Sequence, residues 1–410
     1  MDKFDCLLAS RLARRRLLAL GGLAGGGAVA VAATPTTTRL MLSRGAEDRP
    51  LATDFPQKKA MIVQRSRPPL LETPMAVFDR GVFTPNDQFY VRWHWGDIPL
   101  EVDTAAFRLE VKGRVGRPLS LTPDELLRMP RLSYAAVNQC SGNSRAFFEP
   151  RVPGAQWAHG AMGNAMWEGV SLRAVLDRAG VRPGAVAVRF GGLDRPLTDV
   201  DPFEKSLALD HARNGEVMIA FAMNGEQLPM LNGFPLRLVV PGWYSTYWVK
   251  ALNRIEVLAR PDENYWMTKA YKVPTAADAN VEPGAKDFPT APISTMVPRS
   301  WITSVASGAS LPFRPQLPVR GIAMGGDCGV ARVEISYDAG QTWIEAQLGP
   351  DEGRHSFRPF SASLPIPGPG SRMLLSRCTN TKGRTQAMFP NWNPGGYMRG
   401  CVETTHVALV

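Results

Sequence analysis

Residues 333–343 read Val333-Glu334-Ile335-Ser336-Tyr337-Asp338-Ala339-Gly340-Gln341-Thr342-Trp343. Apolar and polar side chains alternate from Val333 to Tyr337, which is the period of a half-buried β-strand. Asp338-Ala339-Gly340 supplies turn residues, and Thr342-Trp343 begins a returning strand. The stretch therefore predicts an antiparallel hairpin.

The same rhythm of short strands and turns fills residues 291–410. Arg372–Ser376 and His406–Val410 are two further strand-like runs in this part. About 120 residues of this kind are typical of an immunoglobulin-like β-sandwich. We predict such a sandwich as a separate C-terminal domain.

Residues 70–290 mix helix and strand signals, so the whole chain is predicted to be α+β. Thr122-Pro123-Asp124-Glu125 has the pattern of a capping box that starts a short helix. Ser171 is predicted to cap a second helix, which ends at Ala179-Gly180. The strand-like runs are Phe107–Val111, Tyr134–Gln139 and Leu236–Val240.

The N-terminal part has two sections of different composition. Residues 1–33 place Arg14-Arg15-Arg16 before a Gly-rich apolar stretch with Ala-x-Ala sites, the order of an export signal. The paired arginines suit the twin-arginine route, which carries folded proteins, and predict a periplasmic protein. A membrane anchor is disfavoured because the apolar stretch is short and rich in glycine. Residues 34–69 are polar and proline-rich and predict an extended arm.

The composition excludes an intrinsically disordered chain and indicates an anionic partner. The chain of 410 residues is 44% hydrophobic and 20% charged, with a net charge of +10. Arginine accounts for 37 of the 47 basic residues, and its planar fork suits oxyanions. Removal of residues 1–33 leaves a charge of +7 with no basic run, so nucleic-acid binding is not expected.

Cysteine usage excludes several cofactor classes. Four of the five cysteines lie beyond the export signal, too few for a disulfide framework in a chain of this length. Whether Cys328, Cys378 and Cys401 form a disulfide stays open at this stage. No Cys-x-x-Cys occurs, which disfavours zinc-ribbon and iron–sulfur sites. No Cys-x-x-Cys-His occurs, so we expect no c-type haem on this chain.

Cys140 is the first candidate for chemistry. It ends the Tyr134–Gln139 strand and opens the polar loop Ser141-Gly142-Asn143-Ser144-Arg145. A thiol at a strand-to-loop junction can face a cleft, and the nearby Arg145 favours the thiolate, which is the form that binds a metal. The alternative is an ordinary half-buried cysteine.

A second candidate is the segment Tyr90-Val91-Arg92-Trp93-His94. In a strand, Arg92 and His94 share one face and suit an anion or a polar heterocycle. The alternative is a solvated strand face. Further weak candidates are the segments Asn232–Arg237, Val249-Lys250 and Ala270-Tyr271-Lys272.

Taken together and in this order, these segments form a pattern that is specific enough to indicate a protein family. With Trp157, Trp167-x-Gly169-Val170 and Pro241-Gly242 added, the chain resembles the sulfite oxidase family of molybdenum enzymes over nearly all of residues 60–410. The C-terminal part resembles that family's molybdenum-cofactor dimerisation domain. The resemblance implies a molybdopterin-binding catalytic domain at 70–290 and a dimerisation domain at 291–410.

The resemblance also implies a role for each site residue. Cys140 matches the cysteine whose thiolate binds molybdenum beside the sulfurs of molybdopterin. Arg92 and Arg145 match arginines that face the substrate anion, Trp157 matches a tryptophan of the substrate pocket, and Tyr271 matches a tyrosine beside the metal. Residues that match positions binding the pterin and its phosphate are Tyr90, Arg92, His94, Asp194, Asn232, Arg237, Trp248 and Lys250.

Two departures from the family pattern bear on the substrate. Asn232 stands where the animal enzymes have a histidine. The segment Trp392-Asn393-Pro394-Gly395-Gly396 has glycine where the animal and plant enzymes carry a further substrate-site arginine. Arg399 lies nearby but does not align. We therefore expect no third arginine at that place, with a consequence for substrate affinity or identity.

The implied function is periplasmic oxidation of sulfite to sulfate by a molybdenum–molybdopterin centre. A cytochrome c or a haem-containing subunit would accept the electrons. The chain would form a homodimer, or a heterodimer with the cytochrome. Alternative substrates within the family are a sulfane sulfur compound, a sulfoxide or nitrate, and the sandwich disfavours the sulfoxide reductases. A non-catalytic periplasmic binding module is the alternative from another class.

Overall fold

The computed structural model describes residues 51, 52, 55 and 57–410. The predicted export signal and most of the predicted arm lie outside the described residues. The α+β prediction is confirmed, because sheets form most of the regular structure and the helices are few and short. In the described part of the chain, no helix is long and apolar enough to cross a membrane. The predicted domain limits stay predictions.

The first part of the chain carries sixteen of the strands that the described residues form. They are β1 (Leu51–Ala52), β2 (Met61–Arg65), β3 (Leu70–Glu72), β4 (Val91–Arg92), β5 (Leu109–Gly113), β6 (Leu119–Leu121), β7 (Arg131–Gln139), β8 (Met162–Ser171), β9 (Ala187–Gly192), β10 (Glu204–Ala208), β11 (Met218–Met223), β12 (Glu226–Gln227), β13 (Arg237–Val239), β14 (Leu252–Leu258), β15 (Lys272–Pro274) and β16 (Thr290–Pro292). The strand runs expected around Phe107–Val111, Tyr134–Gln139 and Leu236–Val240 become β5, β7 and β13, with shifted ends.

Four α-helices lie between these strands: α1 (Pro123–Leu127), α2 (Leu172–Ala179), α3 (Leu209–Ala212) and α4 (Tyr265–Thr268). The predicted capping box is present, since the Thr122 hydroxyl accepts from the Glu125 amide and the Glu125 carboxylate accepts from the Thr122 amide. Ser171 precedes α2 as predicted, but its side chain makes no capping hydrogen bond. Gly180 ends α2 at a φ of 68°, a left-handed conformation that suits glycine.

Three main sheets form the first domain. Their strand orders are β1-β2-β3-β4, β10-β9-β14-β5-β6 and β12-β11-β8-β7, with β13 paired to β11. The pairing of β7 with β8 runs from Arg131 opposite Val170 to Gln139 opposite Met162. Cys140 therefore leaves the sheet at the end of a long, well-paired strand. The apolar faces of the last two sheets form one core with Trp167 and Phe190 inside it.

Two sheets form the sandwich, as predicted. Its strands are β17 (Arg299–Ile302), β18 (Ala309–Leu311), β19 (Gln316–Met324), β20 (Val330–Ser336), β21 (Ile344–Glu345), β22 (Gln347–Leu348), β23 (Arg358–Pro365), β24 (Gly370–Asn380) and β25 (Glu403–Leu409). The strand orders are β17-β19-β23-β22 and β18-β25-β24-β20-β21. A second apolar core lies between them, with Val333 and Leu374 fully buried.

The predicted hairpin is present, with its return strand starting two residues later than expected, at Ile344. β20 pairs with β21 through Glu334 opposite Glu345 and Ile335 opposite Ile344. The turn is closed by Asp338, whose carboxylate accepts from the amide and the hydroxyl of Thr342. Thr342 is thus part of the turn because its polar groups are bonded there.

The segment between β24 and β25 returns to the first domain. The Met398 amide donates to the Ser141 carbonyl at 3.0 Å. Arg399 donates from Nη1 to the Phe147 carbonyl at 2.7 Å. Two contacts from one segment of the sandwich therefore hold both ends of the loop that follows β7.

Candidate active site

The loop after β7 presents a single free thiol. The Cys140 amide donates to the Ala161 carbonyl at 2.9 Å, and the Asn143 side chain accepts from the Ala161 amide at 3.0 Å. Ser144, at a φ of 68°, donates from its amide to the Ala158 carbonyl at 2.6 Å. These bonds fold the loop against residues 157–161 and hold the Cys140 side chain in place. Among the described residues the four cysteines are all buried and free, so Cys328, Cys378 and Cys401 form no disulfide.

Two pockets meet at Cys140. The inner pocket is lined by Tyr90, Arg92, His94, Asn138, Cys140, Ser141, Phe203, Leu231, Asn232, Arg237, Ser245, Thr246, Trp248, Lys250 and Tyr271. The outer pocket is lined by Val63, Gln64, Arg65, Leu70, Arg92, Cys140, Ser141, Arg145, Pro153, Gly154, Ala155, Gln156, Trp157, Tyr271, Pro394, Gly395 and Tyr397. Of the twelve residues predicted for the site, eleven line one or both pockets.

Asp194 is the predicted residue that lines neither pocket. Its side chain is buried, and burial raises the pKa of Asp194, while attraction by Lys250 opposes that rise. Asp194 therefore acts on the pocket through the charge of Lys250.

The inner pocket is positively charged and carries no carboxylate in its wall. Arg237 is buried between Trp167 and Trp248, with Cζ 5.1 Å and 5.8 Å from the two ring centroids. Burial lowers the pKa of Arg237 to about 10. Burial, together with repulsion by Arg237, lowers the pKa of Lys250 to about 7. Burial is the largest cause of both shifts, and the attraction of Asp194 for Lys250 offsets it only in part.

His94 lies among these cations and is neutral. Its ring stacks on Phe203 with centroids 3.5 Å apart. Burial, followed by repulsion from Arg92 and then Lys250, lowers the pKa of His94 well below its ordinary value. An uncharged imidazole can donate one hydrogen bond and accept another, as binding of a polar heterocycle requires.

Asn232 is held by a lysine that the sequence analysis did not single out. Lys58 is buried and donates from Nζ to the Asn232 side-chain oxygen at 2.5 Å and to the Phe89 carbonyl at 2.9 Å. The Asn232 amide nitrogen donates to the Tyr90 carbonyl at 3.1 Å. Burial lowers the pKa of Lys58 to about 7. Hydrogen bonds to both its oxygen and its nitrogen therefore fix the orientation of the Asn232 side chain in the pocket wall.

Tyr90 and Trp248 line the inner pocket, and the polar atom of each aromatic side chain is hydrogen-bonded within the protein. The Tyr90 hydroxyl donates to the Asn138 side-chain oxygen at 2.7 Å. The Trp248 indole donates to the Trp243 carbonyl at 3.0 Å. Flat apolar surfaces of this kind suit the stacking of a planar ring.

In the outer pocket, the Arg145 guanidinium is fixed by backbone carbonyls. It donates from Nε and Nη2 to the Gly395 carbonyl at 3.2 Å and 3.0 Å, and from Nη1 to the Ala155 carbonyl at 3.2 Å. Its Cζ lies 5.1 Å from the ring centroid of Tyr397. A Cβ at position 142 would overlap this guanidinium, so Gly142 is required for the close approach.

Arg399 is not part of the anion site. Its guanidinium pairs with the Glu403 carboxylate, with 3.0 Å from Nε to Oε1 and 3.2 Å from Nη2 to Oε2. It lines neither pocket. Position 395, where the family pattern has an arginine, is a glycine in this chain. Its carbonyl oxygen accepts hydrogen bonds from Arg145.

Tyr271 stands at the junction of the two pockets. Its backbone is at a φ of 54°, unusual for a residue with a side chain and a known feature of functional sites. Its ring stacks on Tyr397 with centroids 5.6 Å apart. Lys205, also buried, lies with Nζ 5.6 Å from the same ring centroid. The Tyr271 hydroxyl is thereby directed by packing on two sides.

The residues fit an anionic, polar cofactor that brings most of its own metal ligands. Five buried polar atoms at the pockets have no hydrogen-bond partner: Arg92 Nη1, Asn138 Nδ2, Ser141 Oγ, Arg237 Nε and Thr246 Oγ1. Such atoms in a native protein call for a bound group. Within residues 57–410, no cluster of three His, Cys, Asp or Glu side chains could hold a metal ion. A metal here would need sulfur or oxygen ligands from a cofactor beside the one thiolate of Cys140.

Sequence reasoning missed four residues of the site. Lys58, Phe203, Lys205 and Tyr397 each make contacts described above. Lys58 lies in the section predicted to be an arm, and the other three carry no local pattern. Of the four, only Tyr397 lies next to a segment that the sequence had indicated as part of the substrate site, Trp392–Gly396.

Two family models match the chain. The model of the oxidoreductase molybdopterin binding domain matches residues 95–266. The model of the Mo-co oxidoreductase dimerisation domain matches residues 291–401. The first match holds the Cys140 loop and the inner-pocket residues other than Tyr90, Arg92, His94 and Tyr271, and the second covers most of the sandwich.

Known proteins are similar over most of the chain. Mitochondrial sulfite oxidase of Mus musculus is 31% identical over 378 residues, which cover 88% of this chain and 68% of that protein. Sulfite oxidase of Arabidopsis thaliana is 30% identical over 327 residues, covering 75% of this chain and 81% of that protein. The solved structure of the sulfane dehydrogenase SoxCD from Paracoccus pantotrophus matches with a TM-score of 0.72 and 25% identity, over 93% of this chain and 92% of that one.

Proposed function

The chain belongs to the sulfite oxidase family of molybdopterin-binding oxidoreductases, and on that premise we propose that it oxidises sulfite to sulfate in the periplasm and passes the electrons to a cytochrome c. Sulfite and one water give sulfate, two protons and two electrons, and two molecules of a one-electron cytochrome c would accept the electrons.

The observation that carries this proposal is the charge of the outer pocket. Arg92 and Arg145 line it beside Cys140, and no carboxylate is present in its wall. Sulfite is a small oxyanion, and each charge-assisted hydrogen bond to it would contribute about 1.5–3 kcal/mol. The pocket therefore selects a small anion and brings it to the thiol that would hold the metal.

Each side chain has a defined task in this reaction. The molybdenum cofactor, when bound, supplies the two-electron redox chemistry. The Cys140 thiolate would ligate the metal, and Arg237 and Lys250 would pair with the anionic phosphate of the pterin. Arg92 and Arg145 would bind and orient the substrate oxygens. The Tyr271 hydroxyl would donate a hydrogen bond at the junction of the pockets, and Trp157 would keep water from one wall.

A sulfane sulfur compound is the second candidate substrate. The similarity to the sulfane dehydrogenase SoxCD favours it, as does the glycine at position 395. Glycine places no side chain in the outer pocket there, so a substrate larger than sulfite would meet less obstruction. The reaction would still use Cys140 and the inner pocket in the same way.

A substrate comparison on metal-loaded protein tests the two candidates. Sulfite, thiosulfate as a sulfane donor, and nitrate or methionine sulfoxide with a reduced dye would each be assayed at steady state. We expect sulfite to reduce two cytochrome c molecules per sulfate formed, with the highest kcat/KM. Preferred turnover of thiosulfate would favour the second candidate, and molybdenum-free protein purified from its own host would favour a binding module.

Export and assembly are further parts of the proposal. An Arg14→Lys, Arg15→Lys double variant should leave the activity in the cytoplasm, because paired arginines address the twin-arginine route. An Arg16→Lys variant is the matched control.

The match to a dimerisation domain supports a dimer, and sedimentation of the chain alone and with its cytochrome would distinguish a homodimer from a heterodimer.

A further inference from the structure

One more arginine lies at the outer pocket and is not explained by the family pattern. Arg65 ends β2, and its position is opposite Leu70 of β3, which is in turn opposite Arg92 of β4. Residues opposite one another in paired strands point to the same face of a sheet. Arg65, Leu70 and Arg92 accordingly all line the outer pocket.

Arg65 is a cation for which the described residues supply no partner. Among the described residues it makes no hydrogen bond and no ion pair, and it is exposed to solvent. Partial burial, and then repulsion by Arg92, lower the pKa of Arg65 from its ordinary value. The charge of Arg65 also reaches His94 in the inner pocket, where it adds to the effects of Arg92, Lys250 and Lys205.

The other arginines near the pocket differ from Arg65 in this respect. Arg145 is held by the Gly395 and Ala155 carbonyls, and Arg399 is paired with Glu403. Arg65 alone combines an exposed position, a free guanidinium and a place on the pocket wall beside Arg92, among the residues that the structure describes. An anion at that wall would relieve the repulsion between the two arginines.

We propose that Arg65 supplies the third guanidinium of the substrate-anion site, in the absence of an arginine at position 395. This inference rests on the proposed function, because it names a binding residue for the same substrate. The ligand class is a small sulfur oxyanion. Arg65 belongs to the binding step, so its removal should raise KM for sulfite and leave kcat nearly unchanged.

The test is the Arg65→Gln variant of the metal-loaded protein. We expect KM for sulfite to rise about tenfold, with kcat within twofold of wild type. Arg67→Gln is the matched control, because Arg67 is an exposed arginine two residues away that bonds the Gly96 carbonyl and lines neither pocket. An unchanged KM in Arg65→Gln, or an equal rise in Arg67→Gln, would overturn the proposal.

A binding measurement separates this proposal from the proposed reaction. Isothermal titration of the same proteins with sulfate, at constant ionic strength set with chloride, reports the anion site without turnover. We expect the Kd for sulfate to rise about tenfold in Arg65→Gln and to stay within twofold in Arg67→Gln. If the Kd values change as expected but the wild-type protein does not oxidise sulfite, the proposed reaction is overturned and the role of Arg65 in anion binding stands. Equal Kd values in all three proteins, with normal sulfite turnover, would overturn the role of Arg65 alone.

Discussion

The hydroxyl oxygen of Tyr271 lies 2.5 Å from Nε2 of His94. Burial raises the pKa of Tyr271 and lowers the pKa of His94, so the phenol stays protonated and the imidazole stays neutral. The direction of this bond depends on the histidine tautomer: with its proton on Nε2, the imidazole donates to the phenol oxygen and leaves the Tyr271 O–H for a bound anion. One bond thus connects a residue predicted for the substrate site with one predicted for the pterin site.

Replacement of Tyr271 by phenylalanine should lower kcat/KM for sulfite by about 10- to 100-fold. The variant keeps the ring that stacks on Tyr397 and removes one hydrogen bond at an anionic substrate, worth about 1.5–3 kcal/mol. Steady-state kinetics with cytochrome c measures the effect. Tyr265→Phe is the control, because Tyr265 is exposed and lies outside both pockets. Full activity in Tyr271→Phe would exclude its hydroxyl from the reaction.

Replacement of Cys140 by serine should abolish sulfite oxidation in a folded protein. A hydroxyl is a poor ligand for a soft metal centre, and the backbone bonds of the loop do not depend on the sulfur. Sulfite turnover, molybdenum content and the melting temperature would be measured together. The control is Cys328→Ser, which alters a free, buried thiol of the sandwich. Wild-type turnover in Cys140→Ser would remove the assignment of Cys140 as the metal ligand.

Replacement of Arg145 by glutamine should raise KM for sulfite by 10-fold or more, at about 1.5–3 kcal/mol for a lost charge-assisted bond. The Gly395 and Ala155 carbonyls use one hydrogen on each nitrogen of the guanidinium, which leaves one on Nη1 and one on Nη2 for an anion. Arg131→Gln is the control, because Arg131 is exposed, pairs with Glu168 and lines neither pocket. An unchanged KM would take Arg145 out of the anion site.

Local sequence patterns were sufficient to predict the elements that carry the site. Alternation in Tyr134–Gln139 predicted a strand, and the polar residues after it placed Cys140 at a strand end, as the structure has it. The capping box of α1 and the hairpin at 333–343 depend on neighbours in sequence and were also predictable. Ser171 shows the limit of such patterns, since its position was right and its capping bond is absent.

Long-range contacts could not be predicted in this way. The bond from Arg145 to the Gly395 carbonyl joins residues 250 positions apart and uses a backbone atom, which has no sequence signature. Lys58 reaches Asn232 over 174 positions. Both Lys58 and Arg65 lie in a section whose composition suggested only an extended arm. Their roles follow from strand pairing and packing, which single-sequence patterns do not specify.

A buried ion cluster links β25, the last strand of the sandwich, to the loop that follows β7 and carries Cys140. Glu403 accepts from Arg299 at 2.5 Å and from Arg399 at 3.0 Å, and Arg299 also donates to the Ser144 hydroxyl at 3.0 Å. Burial alone would raise the pKa of Glu403, but Arg399, His159 and Arg299 outweigh it and lower the pKa to about 2. Protonation of Glu403 would therefore loosen the loop that carries Cys140.

Glu403 should make the protein lose stability in acid. Because its folded pKa lies below the ordinary value of 4.5, the stabilisation is complete above about pH 4.5 and is lost as the pH falls toward 2. A shift of this size corresponds to about 3 kcal/mol. Glu403→Gln should lower the urea midpoint at pH 7, since two buried arginines lose their partner, and should flatten its decline between pH 4.5 and 2. Glu345→Gln, at an exposed strand position, should follow wild type. The same acid decline in Glu403→Gln as in wild type would show that the cluster does not set acid stability.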